Sequence, residues 1–66
     1  MQKRYKILQF IQQMQPIGRR SLSENINFKE RLVRAEIEFL NKHGFIIVTS
    51  KGMRVTEEGN EIIVKL

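Results

Sequence analysis

Three observations predict a mainly α fold with one small β-hairpin for this 66-residue chain. Apolar residues recur at helical spacing in four stretches. Residues of β-branched and apolar type crowd two short runs after Gly44, and glycine, proline and asparagine punctuate the gaps. The expected order is a three-helix core, a hairpin and a last helix.

Residues 3–15 read as the first helix, with Tyr5, Ile7, Leu8, Phe10, Ile11 and Met14 as the apolar arc and Gln9, Gln12 and Gln13 on the wet side. That methionine and aromatic stripe is core packing, because no polar residues accompany it as a cofactor site would require. Lys3, Arg4 and Lys6 lie either beside a phosphate backbone or on a solvated terminus. Pro16 stops the helix, and Pro16-Ile17-Gly18 forms a connector in which Ile17 plugs the gap between helices. Arg19 to Asn25 then makes a short second helix carrying Leu22 inward, with Ser21 as an alternative start.

The stretch from Asn27 to His43 predicts a helix with two unlike faces. At about 100° per residue, Phe28, Leu32, Val33, Ala35, Ile37, Phe39 and Leu40 share one arc. Glu30, Arg31, Arg34, Glu38, Asn41 and Lys42 fill the other. Asn27 and Glu30 have capping-box spacing, and Gly44 suits a left-handed helix stop. Phe45-Ile46-Ile47-Val48-Thr49 and Met53-Arg54-Val55, separated by Ser50-Lys51-Gly52, predict the hairpin. Thr56 is a good N-cap, and Glu57 and Glu58 suit the first turn of a final helix running through Ile62, Ile63 and Leu66.

Size and composition narrow the function. One domain is all this length allows; folding at this size buries only about 60% of the unfolded surface, which leaves no room for a deep cleft. The absence of cysteine removes disulfides and thiolate metal sites and suits a reducing cytoplasm, the expected location. No apolar run approaches the roughly 20 residues that span a bilayer, and the basic start lacks a signal-peptide core, so no membrane partner is expected. Twelve basic against seven acidic residues give a net charge of +5, which favours a polyanionic partner. The distribution sharpens this: residues 1–34 hold eight basic and two acidic side chains, and residues 35–66 hold four and five.

A short helix, a brief turn and a longer two-faced helix make a helix-turn-helix, and the basic hairpin after it reads as a wing. The fold class is therefore a winged helix-turn-helix, and the expected partner is double-stranded DNA. The second helix of such a unit crosses the backbone while the third enters the major groove, so Arg19, Arg20 and Ser21 would face phosphates. Alternatively, Arg19 or Arg20 pairs with Glu36, which lies toward the apolar side of the third helix and needs a partner. Lys29 suits a phosphate. Arg31 and Arg34 sit near the helix start, where either can bond a guanine bidentately or hold a phosphate. Glu30 or Glu38 accepts from cytosine or orients an arginine, and Lys51 and Arg54 reach an adjacent groove or phosphate from the wing. No nucleophile, base and orienting acid share a recognisable spacing, and the lone His43 cannot make a metal site, so an enzyme is not expected. A protein-docking helix would carry exposed aromatics, and an RNA binder would offer stacking ones; Phe28 and Phe39 belong to the packing arc. The apolar ending at Leu66 suggests a piece of a longer protein, or pairing of Ile63 and Leu66 with a second copy.

Three runs carry a resemblance: Met14-Gln15-Pro16-Ile17-Gly18-Arg19-Arg20-Ser21-Leu22, Glu30 through Leu40, and Gly52-Met53 with Thr56-Glu57-Glu58-Gly59. Together they resemble the N-terminal DNA-binding domains of the central glycolytic gene regulators of Gram-positive bacteria, within the SorC type of repressor. The resemblance covers nearly the whole chain. It implies a winged helix-turn-helix that represses an operon of central glycolytic enzymes, with Arg31 and Arg34 on the operator-reading helix and Lys51 and Arg54 on the flanking wing. It also implies a larger C-terminal domain, absent here, that senses fructose 1,6-bisphosphate and supports a homo-oligomer; no cofactor is expected in these 66 residues. One turn departs from the family, which has Leu-Gly-Ile-Ser where this chain has Ile26-Asn27-Phe28-Lys29. Asn27 tolerates a left-handed backbone, but Lys29 cannot cap as serine does, so the start of the reading helix is expected to shift by a residue or two.

Overall fold

The computed structural model describes residues 3–66. It contains α1 (Lys3–Met14), α2 (Arg19–Ile26), α3 (Glu30–Lys42), β1 (Ile46–Thr49), β2 (Gly52–Val55) and α4 (Glu57–Lys65), so the predicted order of three helices, hairpin and last helix holds. Ile7, Leu8 and Ile11 of α1 meet Leu22 of α2, Val33, Ile37 and Leu40 of α3, and Ile46 and Met53 of the hairpin in one core. Burying each of these aliphatic side chains contributes about 1.5–3 kcal/mol, so the domain is held mainly by this cluster. Ile17 joins it as the expected plug. Met14 does not: it is the last residue of α1 and stands 49% exposed, because the connector delivers Ile17 to the core in its place.

Asn27 plays a different part from the one its spacing suggests. Its backbone is left-handed (φ 58°, ψ 33°) and closes α2, while Lys29 occupies the N-cap of α3 without a side-chain cap. The capping box with Glu30 therefore does not form, and α3 begins at Glu30, two residues later than the capping-box spacing indicated and within the shift expected from the altered turn. Ser21 likewise is not a helix start, since α2 begins at Arg19 behind Gly18. Gly44 does stop α3 with a positive φ of 77°. Its N–H donates to the Asn41 carbonyl (3.1 Å) and that of Phe45 to the Leu40 carbonyl (2.8 Å), which satisfies the last turn.

The hairpin is antiparallel, with Ile46 opposite Val55, Ile47 opposite Arg54 and Val48 opposite Met53. Gly52 opens β2 and is not part of the turn. It has φ +126°, and a Cβ there would meet the Ile17 nitrogen at 2.8 Å, so glycine lets the connector lie against the strand. Ile17 and Met53 exchange both backbone hydrogen bonds (3.3 and 2.7 Å), and the Val55 N–H donates to Gln15 Oε1 (2.9 Å). The wing is thus fixed to the connector that precedes α2.

Thr56 caps α4 as expected, accepting from the Gly59 N–H (3.1 Å), and its hydroxyl donates to the Gly44 carbonyl. Gly59 is no helix breaker. It is buried inside α4, where a Cβ would collide with the Phe45 carbonyl and lie 2.7 Å from Val55 Cγ1. Glycine is what allows α4 to sit this close to the start of the hairpin.

Candidate nucleic-acid interface

An open cationic surface of the molecule lies along α2 and α3. Leu22 is the buried residue of α2, and Val33, Ile37 and Leu40 are those of α3, which turns Arg19, Arg20 and Ser21 on the first helix and Glu30, Arg31 and Arg34 on the second to solvent. Arg19 and Arg20 join Ser23, Glu30 and Arg34 around a cleft of about 240 Å³ between the two helices, floored by Val33 and Ile37. Arg31 stands beside this cleft and shares a shallower depression with Glu30 and Arg34. Five of the sequence-predicted residues are thus brought together at the start of the two helices. Ser21 is exposed on α2 but lines neither hollow, and Lys29 stands exposed at the α3 N-cap.

Charge on this face is only loosely tied down. Arg34 Nη2 lies 3.7 Å from Glu30 Oε1 in an i,i+4 pair whose side chains are 65% and 75% exposed, so the contact is weak and readily exchanged for a phosphate. Glu30 therefore places a negative charge beside Arg34 without fixing it. Lys51 in the hairpin turn and Arg54 on β2 are exposed on the wing, Arg54 directly opposite Ile47. Neither belongs to the α2–α3 cleft.

Glu36 has a partner, and it is neither Arg19 nor Arg20. Arg4 of α1 donates through Nε at 2.6 Å to Glu36 Oε2 and lies 3.6 Å from the Phe39 ring centroid. The hydrogen bond to Glu36 raises the Arg4 pKa still further above its ordinary value, with the carboxylate's charge assisting and burial opposing. Arg4 is thus engaged by α3, whereas Arg19 and Arg20 are left to the open face. Two features were not predicted. Ala35, assigned to the packing arc, is exposed on the outer side of α3, and Ser23 contributes to the cleft. Alanine at the edge of an apolar arc carries little signal, since its methyl group is indifferent to either side.

The whole chain, residues 1–66, matches the family model described as the CggR N-terminal DNA binding domain. It is 46% identical over 63 residues to a central glycolytic genes regulator of Bacillus subtilis (strain 168), and 46% identical over 66 residues to one of Priestia megaterium. The chain belongs to this family. As a CggR N-terminal domain it is a DNA-binding module, which agrees with the cationic face on α2 and α3. The matches cover 96% and 100% of the chain but only 18% and 19% of the two regulators, so it spans about a fifth of the length of its relatives. Among the described residues no helix is long and apolar enough to cross a membrane.

Proposed function

We propose that this domain is the operator-binding part of a bacterial repressor of central glycolytic genes. In this reading α3 enters the major groove, α2 crosses the backbone, and the hairpin flanks the site with Lys51 and Arg54. The observation that carries it is the convergence of Arg19, Arg20 and Arg34 on one cleft at the start of two helix-turn-helix elements, in a chain of a DNA-binding family. Lys29 and Ser21 add backbone contacts, and Glu30 is the loose partner that Arg34 exchanges for a phosphate. The mechanism is blockage of the template by a bound protein, with no catalytic step, in the cytoplasm. The kinship supports placing effector control and homo-oligomer formation in the rest of a longer regulator. The proposed effector is fructose 1,6-bisphosphate.

Salt supplies the direct test. If about five to seven phosphates are neutralised, log Kobs should fall against log salt with a slope near −0.9 per phosphate. Fluorescence anisotropy with a labelled operator duplex between low and physiological ionic strength measures it. Affinity indifferent to salt would refute the reading.

A further inference from the structure

Arg31 and Arg34 lie three residues apart on α3 yet occupy different angular positions. With about 100° per residue, Arg31 stands about 180° round the helix from Leu40. Leu40 is fully buried, so Arg31 projects straight away from the core, on the stripe it shares with exposed Ala35. On the same reckoning Arg34 stands only about 60° from Ile37. Ile37 is buried, and it lines the α2–α3 cleft together with Arg34, Arg19 and Arg20. Glu30 lines that cleft too, and its carboxylate stands 3.7 Å from Arg34. Arg31 enters no ion pair among the described residues.

We propose that Arg31 is the base-reading arginine of the domain and that Arg34 acts with Arg19 and Arg20 as a phosphate clamp. The assignment rests on the reading of α3 as the groove-entering helix. Side chains opposite the core of such a helix face the base edges on the groove floor, and those on its shoulders face the strand that forms the wall. A guanidinium directed at the floor can donate to guanine O6 and N7 together; one on the shoulder beside the backbone-crossing helix meets phosphate oxygens, which carry no sequence information. The unpaired Arg31 gives up no partner on entering the groove, and Ala35 one turn on leaves space for a close approach. Arg34 merely exchanges Glu30 for a phosphate.

Selection of bound sequences from a duplex pool with a randomised centre, followed by salt titration on the selected duplex, separates the two roles. The parent protein should enrich a guanine at one position of its site. Arg31→Ala should lose that single preference, roughly ten- to a hundredfold, and keep the others. Arg34→Ala should keep every preference, weaken binding evenly across sequences, and make the salt slope shallower by about one. Circular dichroism melts of both surface variants check that each is folded. The reverse pattern, with Arg34→Ala erasing one base preference and Arg31→Ala weakening all sequences alike, would overturn the assignment while leaving DNA binding intact. A parent that enriches no sequence and binds without salt dependence would overturn the DNA reading, and this assignment with it.

Discussion

Two arginine–glutamate pairs flank α3, and they differ in almost everything except their chemistry. Arg4 and Glu36 meet at 2.6 Å with the carboxylate side chain 14% exposed and the guanidinium over Phe39. Arg34 and Glu30 stand 3.7 Å apart with most of both side chains in water. The first pair joins α1 to α3 across 32 positions of sequence and satisfies a carboxylate that would otherwise lie largely buried and unpaired. The second lies within one turn of one helix and restrains little. One edge of α3 is therefore anchored by its ion pair, while the other keeps its charge available to a ligand. Burial, more than residue type, separates an arginine that builds the domain from one left at its surface.

The largest effect should come from the two ends of a single helix diameter. Leu40→Ala should cost about 2–5 kcal/mol, because it opens a cavity in the centre of the cluster. For a domain this small such a loss is a large share of the whole stability. Arg31→Ala, directly across α3, should leave thermal unfolding within about 0.5 kcal/mol of the parent and reduce DNA discrimination instead. Equal effects of the two on stability would abolish the distinction between faces. Next in size is Glu36→Ala, which leaves Arg4 without its acceptor and should lower the unfolding midpoint by several degrees, as judged by circular dichroism, with the DNA salt slope unchanged. A changed slope would mean that Arg4 belongs to the DNA-binding set after all.

A smaller effect should come from the uncapped start of α3, which contrasts with the capped start of α4. Thr56 satisfies the Gly59 N–H, whereas Lys29 offers α3 no side-chain acceptor. Lys29→Ser should supply one and raise stability by about 1 kcal/mol, while making the salt slope of DNA binding shallower by about one. Opposite movements of stability and affinity are the signature of a position that favours the ligand over the fold. Chemical denaturation and a salt titration on the same variant measure both.

The contrast also explains what the sequence revealed. Features set within a few residues were legible: the Gly44 stop, the Thr56 cap, the hairpin, and the apolar spacing of α3 all follow from local geometry. The left-handed backbone of Asn27 was legible from its tolerance for that region, but its role was not. The same residue can cap one helix or close another, and only the path from α2 to α3 decides. Distant contacts left no local trace. The Arg4–Glu36 pair and the fit of Gly59 against the Phe45 carbonyl each depend on elements brought together by the finished fold. The arginines that line the α2–α3 cleft were readable as a group, because positive charge gathers in the first half of the chain. The proposed division of Arg31 and Arg34 into floor and shoulder needed the positions of Leu40 and Ile37 in the core.

The smallest change in stability tests the looser pair most directly. Glu30→Ala removes an exposed i,i+4 partner and should shift folding by no more than about 0.5 kcal/mol. For DNA it removes a negative charge from the mouth of the α2–α3 cleft, where the phosphate is proposed to sit. If repulsion dominates, the operator should bind roughly two- to fivefold more tightly at low salt. That gain should fade as salt is raised, since the screening length falls from about 10 Å at 0.1 M to about 3 Å at 1 M. If instead Glu30 contributes mainly by steering Arg34 toward the backbone, the same variant should bind more weakly, because Arg34 must then be ordered at the moment of contact. The exposure of both side chains and their 3.7 Å separation favour the first outcome, since so loose a pair pre-orders little. Weaker binding of Glu30→Ala would show that this edge of α3 is held for its ligand in advance, in the manner of the Arg4 edge.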